Sequence, residues 1–486
     1  MQAVDKTFAV DSEISNPKSE MIKQLISLIL PLVFGSLSGC AQEEVSGTLI
    51  LDESGQTEKV TEVIPVDKVW AGHPVSFALL TSGERQYIAY YNASRNMVVG
   101  QRNLSDPAFT LFPLPVTTRD KNGGTSTVLG WDSHNYVTLA IDREGYLHLS
   151  GNMHVHPLTY FRSTRPNDIT SLVQVMSMTG NNETRCTYPN FMKNSQGELI
   201  FHYRDGSSGN GNEIYNIYDT SSRTWKRLMD QPFTDGLTLM NAYMSAPTLK
   251  EDGWYHIWWV WRDEPDCATN HDLSYMKSRD LVNWYNPFGE PVKLPVSVLN
   301  KSVIVDPIPV KGGIINLAAS LCLDEKGNPM FVYHKYDKDG NLQFYTARLS
   351  GKKWDIRQLT HWDYRWEFSG GGSIIFEVRV GEFKRRDDGN YEVGYSHIKY
   401  GSGTFLLNKS LEIIGVVKKP GLPSQLSKIE GTFPGLQVRT ASDLGKSTAA
   451  DVRYLLKWET LPANRDQARP EPWPEASQLR LYKLEK

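Results

Sequence analysis

The chain has 486 residues, 40% of them hydrophobic and 22% charged, ordinary globular usage that excludes a disordered or fibrous bulk. A net charge of -3 with no Lys/Arg-rich block excludes a nucleic-acid footprint, although a few Arg and His in one cleft would still suit an anionic ligand. The 13 Trp and 23 Tyr point to β-rich structure or to surfaces that contact carbohydrate.

Residues 24–37, QLISLILPLVFGSL, form the long apolar run of the chain, too short for a comfortable bilayer span and suited to a signal-peptide core. It leads into Leu37-Ser38-Gly39-Cys40, which resembles a bacterial lipobox, where cleavage precedes a cysteine that then takes a lipid. Residues 1–40 are read as this address, with translation expected to start at Met21, residues 41–65 as a linker, and 66–486 as one catalytic domain. The mature protein is expected to be exported as an outer-membrane lipoprotein, at the cell surface or in the periplasm, touching the membrane only through the lipid on Cys40. Cys186, Cys267 and Cys322 remain, too few for a disulfide framework.

From residue 66 onward, short alternating runs are separated by Gly, Asn and Asp turns, with almost no helical period. One unit recurs, a polar turn with Gly followed by an alternating strand: TSGERQYIAYY, DREGYLHLSG, NSQGELIFHYR, EDGWYHIWWVWR, DEKGNPMFVYHK and DDGNYEVGYSH. Its glycines, Gly83, Gly145, Gly197, Gly253, Gly327 and Gly389, lie 52 to 74 residues apart, about the period of a four-stranded blade. Six units, with one more closed by both termini, predict an all-β, seven-bladed β-propeller. Trp225, Trp284 and Trp354 each follow a polar turn, as in degenerate Asp-box turns. The Pro-rich stretch at 467–478 is expected to wrap the surface.

Propellers bind ligands where loops of several blades converge, so the chemistry is spread along the chain. His134, in Trp131-Asp132-Ser133-His134-Asn135, precedes a strand, and its near-neutral pKa suits proton transfer as well as a structural role. His154 and His156 share one face if the strand is regular. Tyr188 precedes Pro189, which extends its backbone, and Arg204 ends a strand before the bare loop GSSGNGN, a plausible anion site. Tyr243 adds another phenol one blade on. Cys267, His271, Cys322 and His334 could hold a structural zinc, although the spacing is not that of a zinc finger and free Cys is often simply buried.

A cation, an imidazole and a phenol without an obvious carboxylate pair argue against an ordinary glycosidase, which needs two carboxyl groups at fixed separation. They suit β-elimination at a uronic acid. Arg204 would screen the carboxylate and the developing enediolate, and of His134 and Tyr188 one would take the C5 proton and the other protonate the leaving oxygen.

As a set, WAGHPVSFALL, RQYIAYYNASRNMVVGQR, GWDSHNYVTLAID, LHLSGNMH, CTYPNF and FHYRDGSSGNGN resemble the BNR-type seven-bladed propellers that include the ulvan lyases of marine bacteria, over roughly residues 66–400. The resemblance implies cleavage of ulvan, an anionic polysaccharide, between (sulfated) rhamnose and glucuronic or iduronic acid, leaving an unsaturated uronate at the new non-reducing end. It implies His134 and Tyr188 as base and acid, Arg204 as neutraliser of the uronate, and His154 and Tyr243 lining the site, and it favours a structural zinc. The same family holds exo-α-L-rhamnosidases that remove rhamnose from glucuronate. In that reading His73, in Trp70-Ala71-Gly72-His73-Pro74, is the catalytic residue, unless it is a buried structural histidine. A non-catalytic glycan-binding propeller is the third reading.

Overall fold

A computed structural model describes residues 49–486 apart from 56, 118–124, 446–448 and 450. The apolar run, the lipobox and Cys40 lie outside the described residues. Among those residues, strands fall into seven sheets, and the helices are one turn at Ser424–Ser427 and three short 3-10 turns. The architecture is an all-β propeller.

Each hairpin is set by local chemistry. In Asp142-Arg143-Glu144-Gly145, the Asp142 carboxylate accepts the Glu144 and Tyr146 amides at 2.9 Å, forming an Asx turn, and Gly145 takes the left-handed conformation at φ 87. All six recurring glycines have positive φ, and each turns the chain between two strands of a different sheet. The first sheet, for example, runs Ala78–Ser82, Arg85–Tyr91, Met97–Asn103 and Thr110–Pro113 in sequence order.

The sheets are joined by apolar packing between neighbours. One cluster carries Tyr87 and Ile88 of the first sheet, Leu139 and Leu147 of the second, and Leu456 and Trp458 of the last. Others join the second sheet to the third and the third to the fourth, and one spans the fourth to the sixth. The three turn tryptophans serve this packing. Trp225 is buried and donates its indole N–H to Tyr160 in the neighbouring sheet at 3.1 Å, Trp284 is buried, and Trp354 packs on Tyr275 and Phe331.

Of the linker expected over 41–65, residues 41–48 lie outside the described residues, and the remainder carries two strands. Leu49–Asp52 pairs in parallel with Ile413–Lys418, and Lys59–Val69 pairs with the C-terminal strand Ser477–Glu485 as the outermost strand of the last sheet. These residues therefore stitch two sheets together, and Glu53 and Glu58 lock the join through Arg386, Lys419 and Arg453. The exposed side of Lys59–Val69 carries Lys59, Thr61 and Pro65, the usual dressing of an edge strand, which masks its alternation in the sequence.

Candidate active site

His134 lies in the turn before the strand Val137–Ile141. Asp132 accepts its backbone N–H at 2.9 Å and its Nδ1–H at 2.7 Å, and on the other carboxylate oxygen accepts Nδ1–H of His154 at 2.5 Å. One carboxylate thus bridges two imidazoles, whose rings stack at 4.3 Å. His154 opens the edge strand His154–His156, where Val155 is left-handed at φ 60. That breaks the expected two-residue alternation, and His156 Nδ1 instead accepts the His154 backbone N–H at 3.2 Å.

Tyr188 sits where the pairing of Cys186–Lys193 with Leu199–Ser207 shifts register, and it too is left-handed, at φ 57. A non-glycine residue in that region is strained, and the bulge turns its ring toward the histidines, 5.7 Å from His134. Tyr243 follows at 6.1 Å. Its hydroxyl accepts from Arg262 at 2.9 Å and pairs with the Ser208 hydroxyl at 2.8 Å. His134, His154, Tyr188, Tyr243 and Arg262 line one cleft of about 430 Å³, and among the described residues no Asp or Glu lines it.

Arg204 is fully buried behind this wall, 5.0 Å from the Tyr188 ring and 5.6 Å from that of Tyr243. Among the described residues, none of its three guanidinium nitrogens makes a hydrogen bond of acceptable geometry. Its stem fits because Gly211 faces it across the strands: a Cβ there would stand 3.0 Å from Arg204 Cδ. The Arg204 guanidinium therefore faces the tyrosine rings, and the cation among the cleft's lining residues is Arg262, fixed by Asn270 and Asn316 at 2.9 and 2.7 Å.

Burial opposes the charge on His134, but hydrogen bonds and charge from Asp132 and Asp466 outweigh it and push its pKa up to about 9. The same contacts hold Asp132 and Asp466 well below the carboxylate range against their own desolvation. Burial drives the Tyr188 phenol up, whereas for Tyr243 the guanidiniums of Arg262 and Arg204 overcome burial and pull it down. The resting site thus holds an imidazolium beside two phenols backed by two guanidiniums.

The raised pKa of His134 has a consequence for stability. With the ordinary value near 6.5 in the unfolded chain, the stabilisation from charged His134 is full below about pH 6.5 and is lost as pH rises through about 9. Urea unfolding of the wild type is expected to show falling stability across that window and a flatter profile in His134→Gln; identical profiles would contradict the assignment.

The four residues expected to bind zinc are not brought together. Among the described residues, the group with three ligating atoms within 4.8 Å of one another is Asp132, His134 and His154. Both ring nitrogens of His271 are taken by Asp263 and Asp272, and His334 Nδ1 is bonded to the Gly313 carbonyl with its pKa pushed down to about 4 by burial. The Cys267 and Cys322 thiols are buried and raised, Cys322 to about 11. These residues do not fit a tetrahedral site, so no step is assigned to zinc. His73 is 2% exposed, lies 3.5 Å from Asp466 and is not among the residues lining this cleft. A larger cavity of about 650 Å³, bounded by Lys250, Cys322 and Arg386, has neither His nor Tyr in its lining.

Sequence reasoning missed Arg262, Asp466 and the bridging role of Asp132. Arg262 closes Tyr255–Arg262 as Arg204 closes FHYR one blade earlier, a parallel that could have marked it.

Residues 85–362 match the model of the BNR repeat-containing family. A segment of 73 residues is 36% identical to the short isoform of an ulvan lyase from Alteromonas sp. (strain LOR), spanning 14% of this chain and 14% of that protein. In fold, the chain is similar to the crystal structure of polysaccharide lyase Uly1, with a TM-score of 0.55 and 14% identity over 90% of this chain and 96% of that one. It is similar also to a PL25 ulvan lyase bound to -[GlcA(1-4)Rha3S]-, with a TM-score of 0.54 and 15% identity over 85% and 94%. Because the family model spans more than half of the 486 residues, the chain belongs to the BNR repeat-containing family.

Proposed function

We propose that the protein is a polysaccharide lyase that cleaves ulvan by β-elimination at the bond between sulfated rhamnose and a uronate. The observation that carries this reading is a cleft with an imidazolium, two phenols and guanidinium charge, and no carboxylate in its lining. The two carboxylates beside it, Asp132 and Asp466, are held ionised by histidines, so neither can act as the acid that hydrolysis by a carboxyl pair requires. The ulvan lyase segment match and the lyase-like fold support the same reading.

In this scheme Arg262, in the cleft lining, lowers the energy of the enediolate formed at the uronate carboxylate, and Arg204 acts from behind the tyrosine rings. Tyr188, which meets the substrate, takes the C5 proton as a phenolate, its own proton having passed to solvent under the charge of Arg204 and Arg262. As the C4–O bond breaks and the C4–C5 double bond forms, His134 protonates the leaving oxygen on rhamnose. We read the seven sheets as seven blades, with the cleft at one end of the channel. The apolar run and Cys40 support an exported, lipid-anchored protein.

Incubation of the purified protein with ulvan, following ultraviolet absorbance of the conjugated uronate and free rhamnose together, tests the reading. Absorbance without free rhamnose is expected. Free rhamnose alone would move the protein to the rhamnosidases, and neither signal would make it a glycan-binding propeller.

A further inference from the structure

The segment between the last two strands, residues 461–476, brings a carboxylate to the cleft from the far end of the chain. The side chain of Asp466 is 10% exposed. Its Oδ1 accepts the Ser133 backbone N–H at 3.0 Å and the Ser133 hydroxyl at 2.8 Å, and lies 3.5 Å from Nε2 of buried His73. Its Oδ2 accepts the Ser373 N–H at 2.8 Å and lies 3.2 Å from His134 Nδ1. Ser373 lines the opposite wall of the cleft, and the neighbouring Arg465 fixes that wall by donating to the carbonyls of Ser373, Ser369 and Gly371. One carboxylate thus spans the catalytic turn and the facing loop.

We propose that Asp466 is a positioning residue for His134. With Asp132 it holds the Nδ1–H between two carboxylates, leaving Nε2 for the substrate, and through Ser373 it sets the facing wall. The proposal rests on the elimination reading for its catalytic consequence, not for its geometry. The titratable groups facing His134 are Asp132 at 2.7 Å, Asp466 at 3.2 Å, His154 stacked at 4.3 Å and Tyr188 at 5.7 Å, with His73 behind Asp466. Of these only the two carboxylates favour the imidazolium, so removing one charge lowers the pH at which His134 loses its proton.

Asp466→Asn is the informative variant. Asp466 is left-handed at φ 57, a conformation Asn adopts as readily, so the backbone is kept while the charge goes. In the substrate-free protein, the NMR titration of the His134 imidazole, assigned with His134→Gln, is expected to move down by about one pH unit or more. On ulvan, kcat should fall about 10- to 100-fold with KM nearly unchanged, the alkaline limb of the pH profile moving with the NMR titration. Asp466→Glu should restore part of both. An unmoved His134 titration in folded Asp466→Asn, or a rise in KM alone, would overturn the proposal. If the wild type forms no unsaturated uronate, the elimination reading fails, and the titration still decides whether Asp466 controls His134. Should Asp466→Asn not fold, the displaced carboxylate of Asp466→Glu should still move the titration downward by a smaller amount, and no movement would overturn the assignment.

Discussion

Replacing Arg204 with Met is expected to lower kcat on ulvan about a thousandfold, roughly 4 kcal/mol of transition-state stabilisation, while leaving the Tm unchanged or raised. Most buried arginines are satisfied by carboxylates or carbonyls. This one is fully buried, and among the described residues its nitrogens meet no hydrogen-bond acceptor of acceptable geometry, only the rings of Tyr188 and Tyr243, so its desolvation is offset in part. A thioether chain of similar length relieves that strain and keeps the packing against Gly211. Activity falls because the charge behind Tyr188 and Tyr243 is what stabilises their phenolate forms. Steady-state kinetics and thermal melts check both halves. A Tm lowered by many degrees would make Arg204 a structural residue, and retained turnover would remove it from the reaction.

Tyr188→Phe is expected to reduce kcat by about 10³-fold with little change in KM or Tm. The ring stays against His134 and Arg204, and only the hydroxyl is lost, which makes no hydrogen bond to the described residues. Tyr243→Phe differs, since it also removes one hydrogen-bond partner from Arg262 and one from the Ser208 hydroxyl, and it should lower both activity and stability. Full activity in Tyr188→Phe would transfer the proton to Tyr243 alone.

The repeat was legible because each hairpin needs a left-handed turn residue and an alternating strand, and both recur every 52 to 74 residues: the six recurring glycines, Gly83, Gly145, Gly197, Gly253, Gly327 and Gly389, have positive φ. The last sheet left no such mark, because its strands come from both ends of the chain. The tetrad of His134, His154, Tyr188 and Tyr243 was legible as polar residues at strand ends. Their electrostatic support was not. Asp466 is 333 residues from the Ser133 it binds, just before a Pro-rich stretch with no periodicity, and only tertiary structure brings it to the cleft. The ligand set Cys267, His271, Cys322 and His334 failed for the converse reason: Cys and His at strand positions look like ligands in sequence, but here the thiols are buried and the imidazoles are already bonded.

The central claim is that the cleft eliminates and does not hydrolyse, and the mass balance of its products tests this most directly. Mass spectrometry of a defined ulvan oligosaccharide after exposure to the purified protein is expected to give two fragments whose masses sum to that of the parent, one bearing the unsaturated uronate. Fragments whose masses sum to the parent plus one water would mean hydrolysis and would contradict the account.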